Sequence, residues 1–225
     1  MTSFSSGDWW TIGFSLWTAA CSTLIILPFG IATAWLLARK NWMGKSLTET
    51  LVTLPLVMPP VATGLILLEL FGKHGLLGSF IHRTFGTEIV FTWRAVVLAM
   101  SVMAFPLMVR GARTAFETVN PRLEQVASTL GASDLRIFFT ITLPLSFRGV
   151  LAGIVLSFAR ALGEFGATIL VAGNIPYKTT TLSISIYNDI QLGRDNHAYM
   201  LLLVAAVFAF CALGASEWFS RCKQS

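Results

Sequence analysis

Long apolar runs dominate this sequence and restrict what it can fold into. Five runs, at about residues 10–37, 47–71, 91–111, 148–172 and 197–219, each reach the roughly 20 helical residues that cross a hydrocarbon layer of about 30 Å. Only 12% of the 225 residues are charged, whereas ordinary soluble domains carry about 25%. The sequence therefore predicts an all-α integral membrane protein with about five transmembrane helices, in which residues 1–225 form one domain.

The basic residues of the connections predict the orientation of the chain. Five spans place the two termini on opposite sides, and the connections richer in Lys and Arg are expected in the cytoplasm. We therefore expect the N-terminus outside and the C-terminus inside, and the basic excess needs no nucleic-acid partner. The richer set holds Arg39, Lys40, Lys45, Arg110, Arg113, Arg122, Arg136, Arg148, Arg221 and Lys223, and the poorer set holds Lys73, Arg83, Arg94, Lys178 and Arg194.

Three prolines interrupt the second apolar run. Pro55, Pro59 and Pro60 lie within six residues and remove three backbone donors, so we expect no regular helix there. Non-helical backbone at membrane depth survives where it is buried in protein or lines a wet cavity. The break is therefore either a kink packed against neighbouring helices or a lining of a translocation path.

A charged pair lies inside the fourth run. Arg160 and Glu164 are four residues apart, which puts them on one helical face. An ionised residue at a helix centre costs roughly 2.5–3.5 kcal/mol on insertion scales, so the pair belongs in a bundle interior or an aqueous path. It is either a structural pair, or Arg160 presents positive charge to an anion while Glu164 holds its geometry. Gly163 and Gly166 would allow close helix approach, which also suits a subunit interface.

The polar connection at about 112–147 has the pattern of two short helices. Asn120 is a plausible N-cap with Pro121 at the first helical position, and Gly131 suits a left-handed C-terminal cap. A second helix is expected to begin near Ser133 or Asp134 and to end at Pro144. The first helix would carry the apolar stripe Leu123, Val126, Ala127 and Leu130, and the second would turn Leu135, Phe138 and Phe139 inward. Taken alone, this pattern also fits an amphipathic connector at the membrane surface.

The spacing within this connection resembles the cytoplasmic loop of ABC importer permeases. Gln125, Val126 and Ala127 stand at the Glu-Ala-Ala positions of that family's motif, followed by Gly131 and by the Ile-x-Leu-Pro ending at Pro144. Gln125 and Val126 depart from the motif. The resemblance implies a type I importer permease fold, in which residues 122–133 form a coupling helix that docks on an ATPase subunit. The implied coupling residues are Arg122, Glu124, Gln125, Ala127, Gly131, Ala132, Ile141, Leu143 and Pro144.

The stretch from Phe158 to Thr168, with residues 174–176, resembles the oxyanion branch of these permeases, in particular the molybdate type. Sulfate and tungstate permeases share part of the pattern. The resemblance implies a homodimer in a bacterial inner membrane, with two ATPase subunits that use ATP and Mg²⁺ and a periplasmic oxyanion-binding protein. The chain itself would bind no cofactor and catalyse no reaction. A substrate path or subunit interface would use Pro55, Pro59, Pro60, Arg160, Gly163, Glu164 and Gly166.

Two other classes of protein compete with this interpretation. An ion-coupled secondary transporter would explain the charged pair but not the loop. An intramembrane enzyme would need a convergent catalytic set, and Glu69, Glu164 and Glu217 lie on separate spans. Neither the three histidines nor Cys21, Cys211 and Cys222 have the spacing of metal ligands, so no metal site or disulfide is expected.

Overall fold

The computed structural model describes residues 4–221, with side chains described to residue 218. Within that range every regular element is a helix and none is a strand, as the sequence predicts. Cys222 and Lys223 lie outside the described residues. The elements are α1 (Ser6–Arg39), α2 (Lys45–Val57), α3 (Pro60–Phe71), α4 (Leu76–Phe85), α5 (Trp93–Glu117), α6 (Pro121–Thr129), α7 (Asp134–Ile137), a π turn (Phe138–Thr142), α8 (Leu143–Leu162), α9 (Gly166–Ala172), α10 (Leu182–Gln191) and α11 (Asp195–Arg221).

Among the described residues, four helical segments are long and apolar enough to span a membrane alone: α1, α5, Asp134–Leu162 and α11. Helices α2 and α3 meet at a bend of 112°. Helices α1 and α5 run in the same direction, because Trp17 contacts Trp93 near their starts and Arg39 binds the Phe116 carbonyl near their ends. If α1 and α5 both cross the membrane, the chain must return between them, and the bent pair of α2 and α3 is the candidate for a fifth span.

The helices extend beyond the predicted spans. The third span was expected to end at about residue 111, but α5 continues to Glu117. The fourth span is joined without a break to the second loop helix, which begins at Asp134 as expected. Apolar length marks the hydrocarbon layer, whereas a helix can continue past it into water. The short helices α4 and α10 lie in connections for which no helix was predicted.

The core forms where α1, α5 and α8 meet. Small side chains such as Ala19, Ala99 and Ala104 are fully buried there beside Met100 and Met103. Helix α1 is continuous through Pro28 and Gly30. Gly30 allows close packing, since a Cβ on it would clash with the Met108 Cγ.

Helices α5 and α8 cross at two glycines. A Cβ added to Gly111 would lie 2.7 Å from the Gly153 Cα, so neither position accepts a side chain without movement. Small residues allow such close backbone approach between membrane helices. We call the side of the bundle that holds Arg39 and residues 118–133 the loop side, and the side that holds Asp8 and His197 the far side.

Candidate functional site

The loop-side connection folds as two capped helices. The Asn120 side chain accepts a hydrogen bond from the Arg122 N–H (3.0 Å), and Pro121 opens α6. Gly131 has φ +85°, a left-handed conformation that only glycine adopts freely. The Ser133 hydroxyl then accepts from the Arg136 N–H (3.4 Å) as α7 begins at Asp134. The predicted caps and the predicted start of the second helix are confirmed.

Helix α6 points most of its apolar stripe away from the bundle. The Val126 and Leu130 side chains are 59% and 83% exposed, and Leu123 is about half exposed. Ala127 is half-buried, so three of the four predicted stripe residues face outward. Contiguous exposed apolar side chains mark interaction surfaces. We call Leu123, Val126 and Leu130 the outer stripe.

The inner side of α6 is polar and bound to the bundle. The Glu124 carboxylate lies 2.8 Å from the Arg39 Nε and accepts a hydrogen bond from the Thr142 hydroxyl at 2.6 Å. Gln125, which occupies the position of the motif glutamate, is exposed. The acidic residue that holds this loop to the bundle is therefore Glu124. Of the other predicted coupling residues, Arg122 and Pro144 are exposed, and Ala132, Ile141 and Leu143 are half-buried.

The second loop helix does not end at Pro144, which corrects the prediction. Backbone continues through the π turn into α8, and the Leu143 N–H bonds the Phe138 carbonyl five residues earlier. A π turn absorbs the missing proline donor and widens the spacing of side chains. The predicted inward face is therefore only partly right: Phe138 is buried against Trp35 and Phe116, whereas Leu135 and Phe139 are exposed.

A cavity of about 780 Å³ opens between α5 and α8 on the loop side. Its lining is mainly apolar, and Arg110 and Arg148 contribute the two basic side chains. Pro144 and Gly153 line the same cavity. It places positive charge beside the crossing of α5 and α8.

The second span breaks where the sequence predicts. Met58 and Pro59 both adopt extended backbone, ψ 144° and 131°. Each precedes a proline, and a residue before proline avoids the helical conformation. Pro55 does not take part in the break, contrary to expectation, because it lies inside α2. One interior proline removes a single hydrogen bond, whereas the Pro59–Pro60 pair stops the helix.

The fourth span also breaks, which the sequence analysis did not predict. Helix α8 ends at Leu162 and α9 begins at Gly166. Arg160 and Glu164 are therefore not on one continuous helical face, yet Arg160 Nη1 donates to Glu164 Oε2 at 2.7 Å. The other carboxylate oxygen of Glu164 accepts from the Ala167 N–H at 2.9 Å. Because the carboxylate takes a free donor at the start of α9, it stabilises the break while neutralising Arg160.

The two breaks pack against each other. A Cβ added to Gly166 would lie 2.8 Å from the Pro60 Cβ, and one added to Gly64 would lie 2.8 Å from the Ala167 Cα. The close approach expected at Gly166 is thus found, but Gly163 has only its own helix within 4 Å. The fold brings Pro60, Glu164 and Gly166 into one region, which we call the central break.

Two buried hydroxyls belong to the same helices. Thr63 on α3 and Thr168 on α9 are almost fully buried, and neither hydroxyl has a hydrogen-bond partner in the described part of the chain. Side-chain exposure is 1% for Glu164 and 26% for Arg160. The guanidinium is therefore the partly accessible charge of the central break.

The sequence did not predict a polar cluster that lies on the far side. The His197 ring contacts Asp189 at 2.7 Å through Nδ1 and Asp8 at 3.1 Å through Nε2. These residues come from α1, α10 and α11, and no spacing in the sequence connects Asp8 with His197. Residues 4–221 contain no group of three or more His, Cys, Asp and Glu able to hold a metal ion.

Comparisons with known proteins agree with this architecture. Residues 26–221 match the family described as binding-protein-dependent transport system inner membrane component. The molybdenum transport system permease protein ModB of Haemophilus influenzae is 48% identical over 95% of this chain and 93% of that protein. ModB of Escherichia coli K12 is 46% identical over 95% and 94%. The sulfate transport system permease protein CysT of Salmonella typhimurium is 38% identical over 72% of this chain and 58% of that protein.

Solved structures share the fold at low sequence identity. A bacterial ABC transporter that imports alginate matches with a TM-score of 0.75 and 19% identity, over 97% of this chain and 80% of that chain. The inward-facing MetNI methionine ABC transporter matches with a TM-score of 0.69 and 15% identity, over 99% and 100%. The chain therefore has the fold of ABC importer permeases.

Proposed function

The chain belongs to the family of binding-protein-dependent transport system inner membrane components, and we propose that it is the permease subunit of an ATP-driven importer of molybdate. Relatives that are 46–48% identical over 95% of the chain are molybdenum permeases, which supports molybdate as the cargo. The sulfate permease matches less of the chain at lower identity, so sulfate is the second candidate. Tungstate shares the chemistry of both and is tested with them.

The permease works in this proposal as a homodimer with two ATPase subunits and a periplasmic oxyanion-binding protein. ATP and Mg²⁺ belong to the ATPase subunits, and the permease itself is not an enzyme. The chain crosses a bacterial inner membrane several times, with the N-terminus and the far side in the periplasm and the loop side in the cytoplasm. The ten basic residues of the richer connections support this orientation.

The proposal rests on the two different faces of α6. Its outer stripe is exposed and has the apolar character of a docking surface, while Glu124 binds the bundle on the other side. A mere membrane-surface connector needs the first property but not the second. We therefore assign α6 and the turn that follows it, residues 122–133, to the coupling segment. The outer stripe, with Arg122, Gln125, Ala127 and Ala132, would contact the ATPase.

The central break and the loop-side cavity are the proposed parts of the anion path. Half-helices that begin at membrane depth direct their N-terminal ends toward anionic substrates in other transporters. Helix α3 begins in this way at Pro60, in the same region as the partly accessible Arg160 guanidinium. Arg110 and Arg148 in the cavity supply positive charge on the cytoplasmic side.

The test is reconstitution of the permease with its ATPase and binding protein in proteoliposomes. We expect molybdate-loaded binding protein to raise ATP hydrolysis and uptake, and a proton ionophore to leave uptake unchanged. Stimulation by sulfate alone would select the second candidate. Uptake that follows the proton gradient and ignores ATP would overturn the importer assignment.

A further inference from the structure

Arg39, Glu124 and Thr142 form a polar junction on the loop side, which we call the hub. Arg39 Nε lies 2.8 Å from the Glu124 carboxylate, and the Thr142 hydroxyl donates to the same carboxylate at 2.6 Å. Arg39 Nη2 also donates to the carbonyls of Phe116 (2.7 Å) and Val119 (3.2 Å). The end of α1, the end of α5, the coupling helix and the π turn before α8 thus meet at one ion pair.

The hub is shielded from water. The Arg39 and Glu124 side chains are only 14% and 16% exposed, and Thr142 is fully buried. Hydrogen bonds with an ionised partner are roughly twice as strong as neutral ones, and partial burial reduces screening. The planar guanidinium donates in fixed directions, so it holds the carboxylate and the two carbonyls in one geometry. The hub is therefore a rigid connection between the loop and three spans.

A second ion pair at the same corner lacks these properties. Lys40 Nζ lies 2.6 Å from the Asp134 carboxylate, but the two side chains are 47% and 63% exposed. Exposed pairs of this kind contribute little, because water screens them and both side chains lose freedom. Two neighbouring pairs on one connection therefore differ mainly in burial, which makes Lys40–Asp134 a matched control.

We infer that Arg39, Glu124 and Thr142 are positioning residues, through which a movement of the coupling helix reaches α1, α5 and α8. This inference rests on the proposed function, since it assumes that an ATPase moves the outer stripe. Hydrogen-bond and salt-bridge networks that join rigid elements can carry energetic coupling between distant sites. Among the described contacts, Glu124 joins α6 both to the end of α1 and to the π turn that continues into α8.

The test compares Thr142→Val with Asp134→Asn in the reconstituted complex. Valine keeps the shape of the buried threonine and leaves the Arg39–Glu124 pair in place, so the fold should persist. We expect Thr142→Val to assemble with the ATPase and to keep basal ATP hydrolysis, but to lose about fivefold or more in receptor-stimulated hydrolysis and in molybdate moved per ATP. Asp134→Asn should match the wild type in both ratios.

A Glu124→Gln variant and the Glu124→Gln/Thr142→Val double variant complete the design. Because both residues act through one contact, we expect the double variant to lose no more coupling than Glu124→Gln alone. Unchanged stimulation in Thr142→Val, or an equal loss in Asp134→Asn, would overturn the inference. Failure of Thr142→Val to assemble would also overturn it, since the hub would then be a structural tie only. Absence of stimulation in the wild type would instead contradict the proposed function.

Discussion

The proposed coupling helix exposes apolar side chains, whereas the central break buries a charged one. Leu130, which follows α6, is largely exposed, and the helices on either side of it are capped by Asn120 and Ser133. Glu164 in the central break is fully engaged by Arg160 and by the Ala167 N–H. Local caps shape the turns of this loop, and its outer stripe stays exposed. The central break depends on contacts between segments about 100 residues apart in the chain.

This difference predicts which substitutions lower the free energy of unfolding and which lower transport. Changes at the central break should lower the free energy of unfolding, because buried contacts have no alternative partner there. Changes in the coupling helix should leave that free energy nearly intact and should lower transport instead. Each substitution can be compared with a control substitution at a similar position elsewhere in the chain.

The largest loss of stability is expected from Glu164→Gln. Glutamine can still accept from the Ala167 N–H, but it leaves the partly buried Arg160 without a counter-ion, at a cost of about 3 kcal/mol. The control is Glu117→Gln, since Arg113 and Glu117 have the same spacing and the same 2.7 Å distance on a more exposed surface. Arg113 also keeps Glu49 as a partner, so we expect a loss within about 1 kcal/mol.

The free energies of unfolding of both variants can be measured by SDS titration of the purified chain in mixed micelles. Equal losses in the two variants would show that burial does not distinguish the pairs. The expectation that the buried pair of the central break contributes more to stability than the exposed loop-side pair would then be wrong.

A smaller loss is expected from Gly64→Ala. The added Cβ would lie 2.8 Å from the Ala167 Cα and 3.0 Å from its carbonyl oxygen, so α3 and α9 must separate at a cost of about 1–3 kcal/mol. Gly13→Ala adds the same atom to α1, where nothing lies within 4 Å. Because alanine favours helix over glycine, Gly13→Ala should stabilise the chain by about 0.5 kcal/mol. The same titration measures both signs, and a stabilised Gly64→Ala would contradict the close packing of the two breaks.

A modest loss of stability, with the clearest change in transport, is expected from Gly131→Asp. A non-glycine residue at φ +85° costs about 1 kcal/mol. The side chain also places a charge beside the outer stripe, so receptor-stimulated ATP hydrolysis should be lost while membrane insertion persists. Gly86→Asp is the control, because Gly86 has φ +63°, open surroundings and a far-side position. Wild-type stimulation in Gly131→Asp, or an equal loss of stimulation in Gly86→Asp, would contradict the expectation that only the loop side contacts the ATPase.

Features encoded by neighbouring residues were predictable from the sequence. Asn120, Pro121 and Gly131 act within one or two turns of their own position. Pro59 and Pro60 each restrict the backbone of the residue immediately before them. The helical class and the four or five candidate spans follow from apolar length. Such signals do not depend on how the rest of the chain packs.

Features that depend on distant contacts were not predictable. The break after Leu162 needs a carboxylate that caps α9 and a partner helix that accepts Gly166 at close range. The π turn changes the spacing on which the inward direction of Phe139 was based. Glu124 was placed among the coupling residues by position in a motif, but its partner Arg39 lies 85 residues away. His197 meets Asp8 across 189 residues, a pairing that no spacing rule connects.

The crossing of Gly111 and Gly153 lies near the middle of α8, which runs from the loop to the central break. By helical rise, about 16 Å separate Thr142 from Gly153, and about 14 Å separate Gly153 from Leu162. The crossing therefore divides α8 into two segments of nearly equal length. If α8 tilts about this crossing as one rigid helix, its loop-side end and its end at the central break move in opposite directions by nearly equal distances.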